Sequence, residues 1–287
     1  MTEIKCLINS TISIIVAVYN RESVLQRCLK SIVSQTYTNK EIIVIDAGST
    51  DGTLCIIKKF DEYITYWGSE PDRGIYHAFN KGIKHATGDW IYFLGSDDFL
   101  WNQSVLNDFY KKVSEFNNLP RVVYGKVVLV NHNGDSLEIL NKPWKKIKNL
   151  FLEGCCICHQ GVFHHRNLFD VHGDFDEEFR ISGVYEFLLR ELKDNDALFL
   201  PDLTVAAMQT GGLSTTSHNS LEIFSEYEKA RKKNNVRKEL SLRLIWGDVK
   251  NYIKSLLRDK CSQTQINYIA DIYRVITFRK PIWLRMK

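Results

Sequence analysis

A chain of 287 residues with 44% hydrophobic and 25% charged residues can bury a large core, and its length suits one substantial α/β domain with an appended piece. No apolar run approaches the ~18 residues of a membrane span, and no basic stretch with an apolar core opens the chain, so a cytoplasmic location is expected. The net charge of +4 conceals an asymmetry: residues 231–287 carry 15 Lys and Arg against 4 Asp and Glu, a net of +11, which leaves −7 for residues 1–230.

In chain order, residues 11–18 (TISIIVAV) and 41–46 (EIIVID) are short, β-branched and almost continuously apolar, as strands buried on both faces of a parallel sheet should be. Between them Val24, Leu25, Cys28, Leu29, Ile32 and Val33 recur at helical spacing, and Leu54, Ile57 and Phe60 repeat the pattern after the second strand. A third strand is predicted over 63–67, a helix over 74–86 and a fourth strand over 89–94. Open sheets of this βαβα kind bind ligands beyond the carboxyl ends of their strands. Those ends carry Tyr19 and Asn20; Asp46, Ser49 and Asp51; Glu70 and Asp72; and Ser96, Asp97 and Asp98.

Further along, 102–116 reads as a helix and 121–140 as a structural hairpin around the Asn133-Gly134 turn. Residues 142–173 read as irregular and aromatic and 184–193 as a helix, so the second half is expected to be an acceptor-facing subdomain rather than more sheet. Helices are predicted beyond Gly211-Gly212, of which 239–258 is amphipathic through Leu242, Ile245, Trp246, Val249, Ile253, Leu256 and Leu257. The expected division is a domain over 1–214, with a nucleotide-binding half near 10–100 and an acceptor half near 101–214, then a basic helical extension over 215–287.

The chemistry concentrates in two places. Asp97 and Asp98 at a strand end can hold Mg²⁺ or Mn²⁺ on a nucleotide diphosphate, since these ions take hard oxygen ligands; as an isolated pair they could equally be a cap for the helix that follows. Asp46 opens DAGSTDGT, where glycines make a tight turn and Asp51 can cap the next helix. A carboxylate so placed can accept from a ribose hydroxyl or a uracil N–H. No glycine-rich GxGxxG or Walker segment occurs, which argues against a dinucleotide oxidoreductase or an ATPase. Seven cysteines fit reduced thiols, and the Cys155, Cys156, Cys158, His159 cluster lacks a second pair of zinc ligands at the usual distance.

The ordered blocks TISIIVAVYN, SIVSQTY, IDAGSTDGT and SEPDRGIYHAFNKGIKHATGDWIYFLGSDD resemble the family 2 glycosyltransferases of the GT-A fold, in particular the bacterial branch that builds surface polysaccharides such as O-antigen and lipopolysaccharide. The similarity covers about residues 10–214. It implies a mixed α/β sheet flanked by helices and an inverting transfer, in which an acceptor hydroxyl deprotonated by a carboxylate attacks a metal-bound UDP-sugar. It also implies roles: Ala17, Tyr19 and Asn20 around uracil with Glu22 beside them, Asp46 on base or ribose, Asp72 and Arg73 at the uridine edge, Ser96 and Asp97 on ribose and metal, and Asp98 as the alternative ligand. Asn80 and Lys81 stand where the family has NKG, and Gly211, Gly212 and Ser214 resemble a segment that closes over the diphosphate.

Two departures stand out. Gly95 occupies the first position of the family's metal motif. Val184 occupies the position of its catalytic Asp, in 176-DEEFRISGVYE-186, and a valine takes no proton. Glu186 is the nearest substitute, although two residues turn a helix by about 200°; Asp176, His159 and Asp98 are further candidates, and a solvated helix face is the plain reading of Glu186. The basic tail suits an anionic membrane surface, with Arg243, Lys250, Lys254 and Arg258 beside Trp246, and with Trp283 further on, or simple solvation; no nucleic-acid recognition motif accompanies it. Three readings follow: an enzyme acting peripherally at the inner membrane on a lipid-linked saccharide, a non-catalytic nucleotide-sugar binder, and a membrane scaffold.

Overall fold

The computed structural model describes residues 10–211, 220–236, 262–276 and 281. Its core is one mixed sheet. Strands β1 (Ile12–Val18), β2 (Lys40–Asp46), β3 (Tyr66–Ser69) and β4 (Trp90–Gly95) are parallel in the order β3-β2-β1-β4. The sheet continues through β8 (Val162–His165), antiparallel to β4, then β6 (Val122–Val130), β9 (Leu198–Gln209) and the short β5 (Phe99–Leu100), while β7 (Ser136–Leu140) pairs with β6.

Alternation along the strands builds two apolar layers. Ile12, Ile14, Val16 and Val18 of β1, with Ile42 and Val44 of β2, face helices α1 (Leu25–Val33), α2 (Thr53–Lys59) and α4 (Val105–Ser114). Ile15, Ile43 and Ile45 face the other way, toward α3 (Ile75–His85), α5 (Trp144–Glu153), α6 (Asn167–His172) and α7 (Gly183–Leu192). Strands covered on both faces need apolar residues throughout, which is why these two read so plainly in the sequence.

Three expectations change. The third strand is Tyr66–Ser69, because Asp61–Tyr63 closes a 3₁₀ turn after α2. Residues 142–173 are not irregular: they form α5, a 3₁₀ turn at His159–Gly161, β8 and α6. The second half does add sheet, since β8 and β9 extend it beyond β4.

Helix α8 (Ser220–Lys233) packs against α7 and α5, and α9 (Gln263–Ile276) is tied by Arg274 to Glu138 of β7 at 3.0 Å. Gly212, Ser214, the helix expected over 239–258 with Trp246, and Trp283 lie outside the described residues. Among the described residues no helix is long and apolar enough to cross a membrane.

Candidate active site

Because β3, β2, β1 and β4 run parallel, the four polar strand ends share one edge, and their loops are bonded to each other. Asn20 adopts a left-handed backbone, φ 50°, a conformation Asn tolerates better than most residues. Its amide N–H donates to Ser49 Oγ at 2.8 Å, and its side-chain oxygen accepts from Thr50 N at 2.9 Å. Glu22 repeats the stitch: its N–H donates to Asp51 at 3.1 Å and its carboxylate accepts from Gly52 N at 3.1 Å. Asn20 therefore locks two loops together rather than capping α1. Asp51 lies one residue ahead of the N-cap, Gly52, and accepts from Thr53 N at the start of α2 at 3.0 Å.

Asp46 is fully buried. One oxygen accepts from Gly48 N (3.0 Å), Ser49 N (2.9 Å) and Ser69 Oγ (2.6 Å), and the other from Ser49 Oγ (2.5 Å). Those four bonds fix the carboxylate within the loop, three on Oδ2 and one on Oδ1. Tyr19, by contrast, is 55% exposed, with its ring available for stacking at the rim. Ala17 stands level with Gly95 in the register. Asp72 accepts from Gly74 N at 2.9 Å, and Arg73 crosses to Glu177 at 2.5 Å. Asn80 bonds Phe175 in both directions at 2.9 Å, and Lys81 pairs with Glu70 at 2.8 Å.

The acid turn is the most constrained element. A bond from Asp98 N to Gly95 O at 3.0 Å closes it around the buried Ser96. A Cβ at Gly95 would meet Asp98 Oδ2 at 2.5 Å and Asp97 Oδ1 at 3.1 Å, so the two carboxylates converge over that glycine. Adjacent strand residues would diverge; the turn is what brings them together. Asp98, 2% exposed, does not cap a helix. Its Oδ2 accepts from Gln160 Nε2 at 2.9 Å and its Oδ1 from Gln209 N at 2.8 Å. Burial, then the charge of Asp97, pushes its pKa up to about 7, against the two amide bonds and Arg27, which pull it down. Arg27 steadies the turn by donating to Asp97 O at 3.0 Å and to Gln209 Oε1, with its guanidinium 4.4 Å over the Phe99 ring.

These residues fit a divalent cation. Two hard carboxylates face one point, and none of the described residues donates a hydrogen bond to that of Asp97. Among the described residues no third His, Cys, Asp or Glu joins them, so phosphate oxygens and water would complete the coordination of Mn²⁺ or Mg²⁺. The cysteine cluster forms no such group. Cys155 Sγ donates to Ile157 O at 3.2 Å, and burial lowers the His159 pKa to about 4, leaving it neutral.

Around α7 the expectations meet a different arrangement. Val184 is buried among apolar side chains at 8% exposure. Glu186 is neither a solvated face nor an open base: it is fully buried, held by Arg190 Nε at 3.0 Å, Asn234 Nδ2 at 3.1 Å and Lys233 Nζ at 3.4 Å. Among the described residues it shares no hydrogen-bond partner with Asp97 or Asp98. Asp176 pairs with Lys233 at 2.7 Å, which together with the Glu178 amide outweighs burial and keeps its pKa below the ordinary value.

Sequence reasoning missed the part α8 plays here. Its Glu226, 9% exposed, accepts from three successive amides ahead of α7: Arg180 N at 2.6 Å, Ile181 N at 3.1 Å and Ser182 N at 2.6 Å. A carboxylate at a helix N-terminus satisfies orphan N–H groups and complements the dipole. The same helix reaches Glu153 O through Arg231 and Glu178 through Lys229 at 2.9 Å.

Comparison with known proteins decides the family. The profile described as Glycosyl transferase family 2 matches residues 13–166, more than half of the chain. The chain belongs to that family. A PGL/p-HBAD biosynthesis glycosyltransferase of Mycobacterium bovis BCG is 32% identical over 215 residues, covering 71% of this chain and 79% of the relative. The Streptococcus pneumoniae glycosyltransferase GlyA is 40% identical over 113 residues, 38% of this chain and 16% of that protein. Among solved structures, S. aureus TarS 1-349 in complex with UDP-GlcNAc has a TM-score of 0.63 at 21% identity, covering 80% of this chain and 68% of that one. The Pyrobaculum calidifontis mannosyltransferase PcManGT, in complex with GDP-Man and Mn²⁺, has a TM-score of 0.62 at 16% identity, covering 98% and 85%. These likenesses establish the GT-A fold for this family 2 glycosyltransferase.

Proposed function

We propose that the protein moves a hexose or N-acetylhexosamine from a UDP-sugar, with inversion, onto a saccharide carried on a lipid diphosphate during surface-polysaccharide synthesis. The observation that carries this reading is the acid turn. Two carboxylates converge beside a nucleoside edge built from Tyr19, Asn20 and the Asp46 loop. Tyr19 stacks on uracil, with Ala17 beneath it and Glu22, Asp72 and Arg73 at the rim; Asp46, whose Oδ1 accepts from Ser49 Oγ alone among the described residues, lies on the base or ribose; Ser96 and Asp97 face ribose and phosphate. A divalent cation, when bound, neutralises the departing UDP diphosphate. A solved TarS complex with UDP-GlcNAc supports a UDP-sugar, and the Mn²⁺ complex of the mannosyltransferase supports a cation.

The acceptor hydroxyl must lose a proton, and position 184 offers no base. Glu186, buried and triply bonded, acts as a strut and not as that base. A membrane surface is supported by the +11 charge of residues 231–287 and by the exposed Tyr268, Ile272, Val275 and Ile276 on α9. Incubation with UDP-sugars, Mn²⁺ and a lipid-diphosphate saccharide should release UDP only when acceptor is present; silence with every common donor and acceptor would overturn the proposal.

Val184 favours a second reading, a nucleotide-sugar binder with impaired catalysis. Val184→Asp distinguishes them. An impaired enzyme gains about 10²-fold or more in acceptor-dependent UDP release, whereas an unchanged rate means that the proton leaves by another route.

A further inference from the structure

The hairpin between β6 and β7, plain scaffolding by sequence, carries an imidazole to the edge of the site. Asn131, 5% exposed, builds its tip: its side-chain oxygen accepts from Asn133 N at 3.1 Å and Asp135 N at 2.8 Å. That leaves His132 exposed, with Nδ1 2.7 Å from Gln209 Nε2.

The network fixes which ring nitrogen bears the proton. Arg27 can only donate, and it donates to Gln209 Oε1. The other end of that amide is therefore NH₂, which must donate to His132 Nδ1. An Nδ1 that accepts carries no hydrogen, so the neutral ring presents N–H at Nε2. This edge lies toward Gly211, where a Cβ would come within 3.8 Å of Nε2 and the backbone has φ 98°. Gln209 also supplies the backbone N–H that holds Asp98 at 2.8 Å. One residue thus sets both the acid turn and the imidazole.

We propose that His132 binds the diphosphate of the nucleotide donor through its Nε2–H, from the side of the acid turn that Gln209 defines. This rests on the donor reading above. A diphosphate laid against two carboxylates needs donors besides a cation, and the Gln209 bond turns the Nε2 edge of His132 to that role in advance.

Calorimetric titration of the full chain with UDP and with uridine, both in Mn²⁺, tests it. His132→Ala should weaken UDP about 5- to 30-fold and leave uridine within about twofold, since uridine has no phosphate. His132→Gln, which retains an N–H donor, should recover part of the loss and stands in if the alanine variant does not fold. Unchanged UDP affinity in both variants, or an equal loss for UDP and uridine, overturns the assignment and leaves the donor reading intact. A wild-type chain that binds no UDP overturns both.

Discussion

Replacing Asp98 with Asn should stabilise the metal-free protein at alkaline pH and disable it at the same time. The carboxyl is 2% exposed, and its pKa is lifted from 3.8 to about 7, first by burial and then by Asp97. A carboxyl whose folded pKa exceeds its unfolded one favours the native state fully below about pH 4 and loses that contribution as pH rises through about 7. Three units at 1.36 kcal/mol each set a ceiling of about 4 kcal/mol. The substituted side-chain amide would keep the bond from Gln209 N, and Gln160 need only turn its own amide to accept from the new NH₂. In EDTA, urea denaturation should therefore show Asp98→Asn more stable than wild type by about 2–4 kcal/mol near pH 8, a gap that shrinks to about 1 kcal/mol near pH 4.5. Adding Mn²⁺ and UDP should reverse the order, because only wild type gains ligand stabilisation. A variant less stable than wild type at pH 8 in EDTA would refute the view that Asp98 is held at a cost for the sake of a ligand.

Glu226→Ala strips a buried carboxylate from three backbone amides and should cost about 3 kcal/mol in urea denaturation, with Glu226→Gln losing about half as much. Gly95→Ala places a methyl 2.5 Å from Asp98 Oδ2, and should lower Mn²⁺-dependent UDP affinity about tenfold or more by spreading the two acids, as read by calorimetry with and without the metal. The family's usual acid at position 95 would meet the same obstruction, so the glycine and the close pair belong together.

The parallel half of the fold was legible because β1 and β2 are covered on both faces and are apolar at nearly every interior position. The strand ends were legible for the complementary reason, that polar groups break those runs at one edge. β9 was hidden by Pro201, which ordinarily argues against a central strand. The structure accommodates it where the register with β6 shifts: Tyr124 pairs with Phe199 but Lys126 with Thr204, so the proline falls in the looped-out stretch. α5 had a signal, the buried Trp144, Ile147 and Phe151 at helical spacing, obscured by its aromatic and basic residues. Gln160 had one in the His-Gln pair of CCICHQ, though not one that names its bond to Asp98 62 residues away, and Gln209 had none, since it holds Asp98 111 residues away through its backbone N–H. Glu186 misled because its helix face is covered by Asn234, a residue far along the chain.

The strap that α8 lays across the start of α7 also orders events during synthesis. Loops on the nucleoside side are laced by bonds such as Asn20 to Ser49, which span 29 residues and can close soon after both have left the ribosome. Ser182, by contrast, waits 44 residues for Glu226, and Glu186 waits 48 for Asn234. A nascent chain stopped near residue 214 would carry the loops at the parallel strand ends together with three amides that lack Glu226 and a Glu186 paired with Arg190 but without Asn234 and Lys233. The parallel half of the sheet is ready early, and the wall around Val184 is finished last.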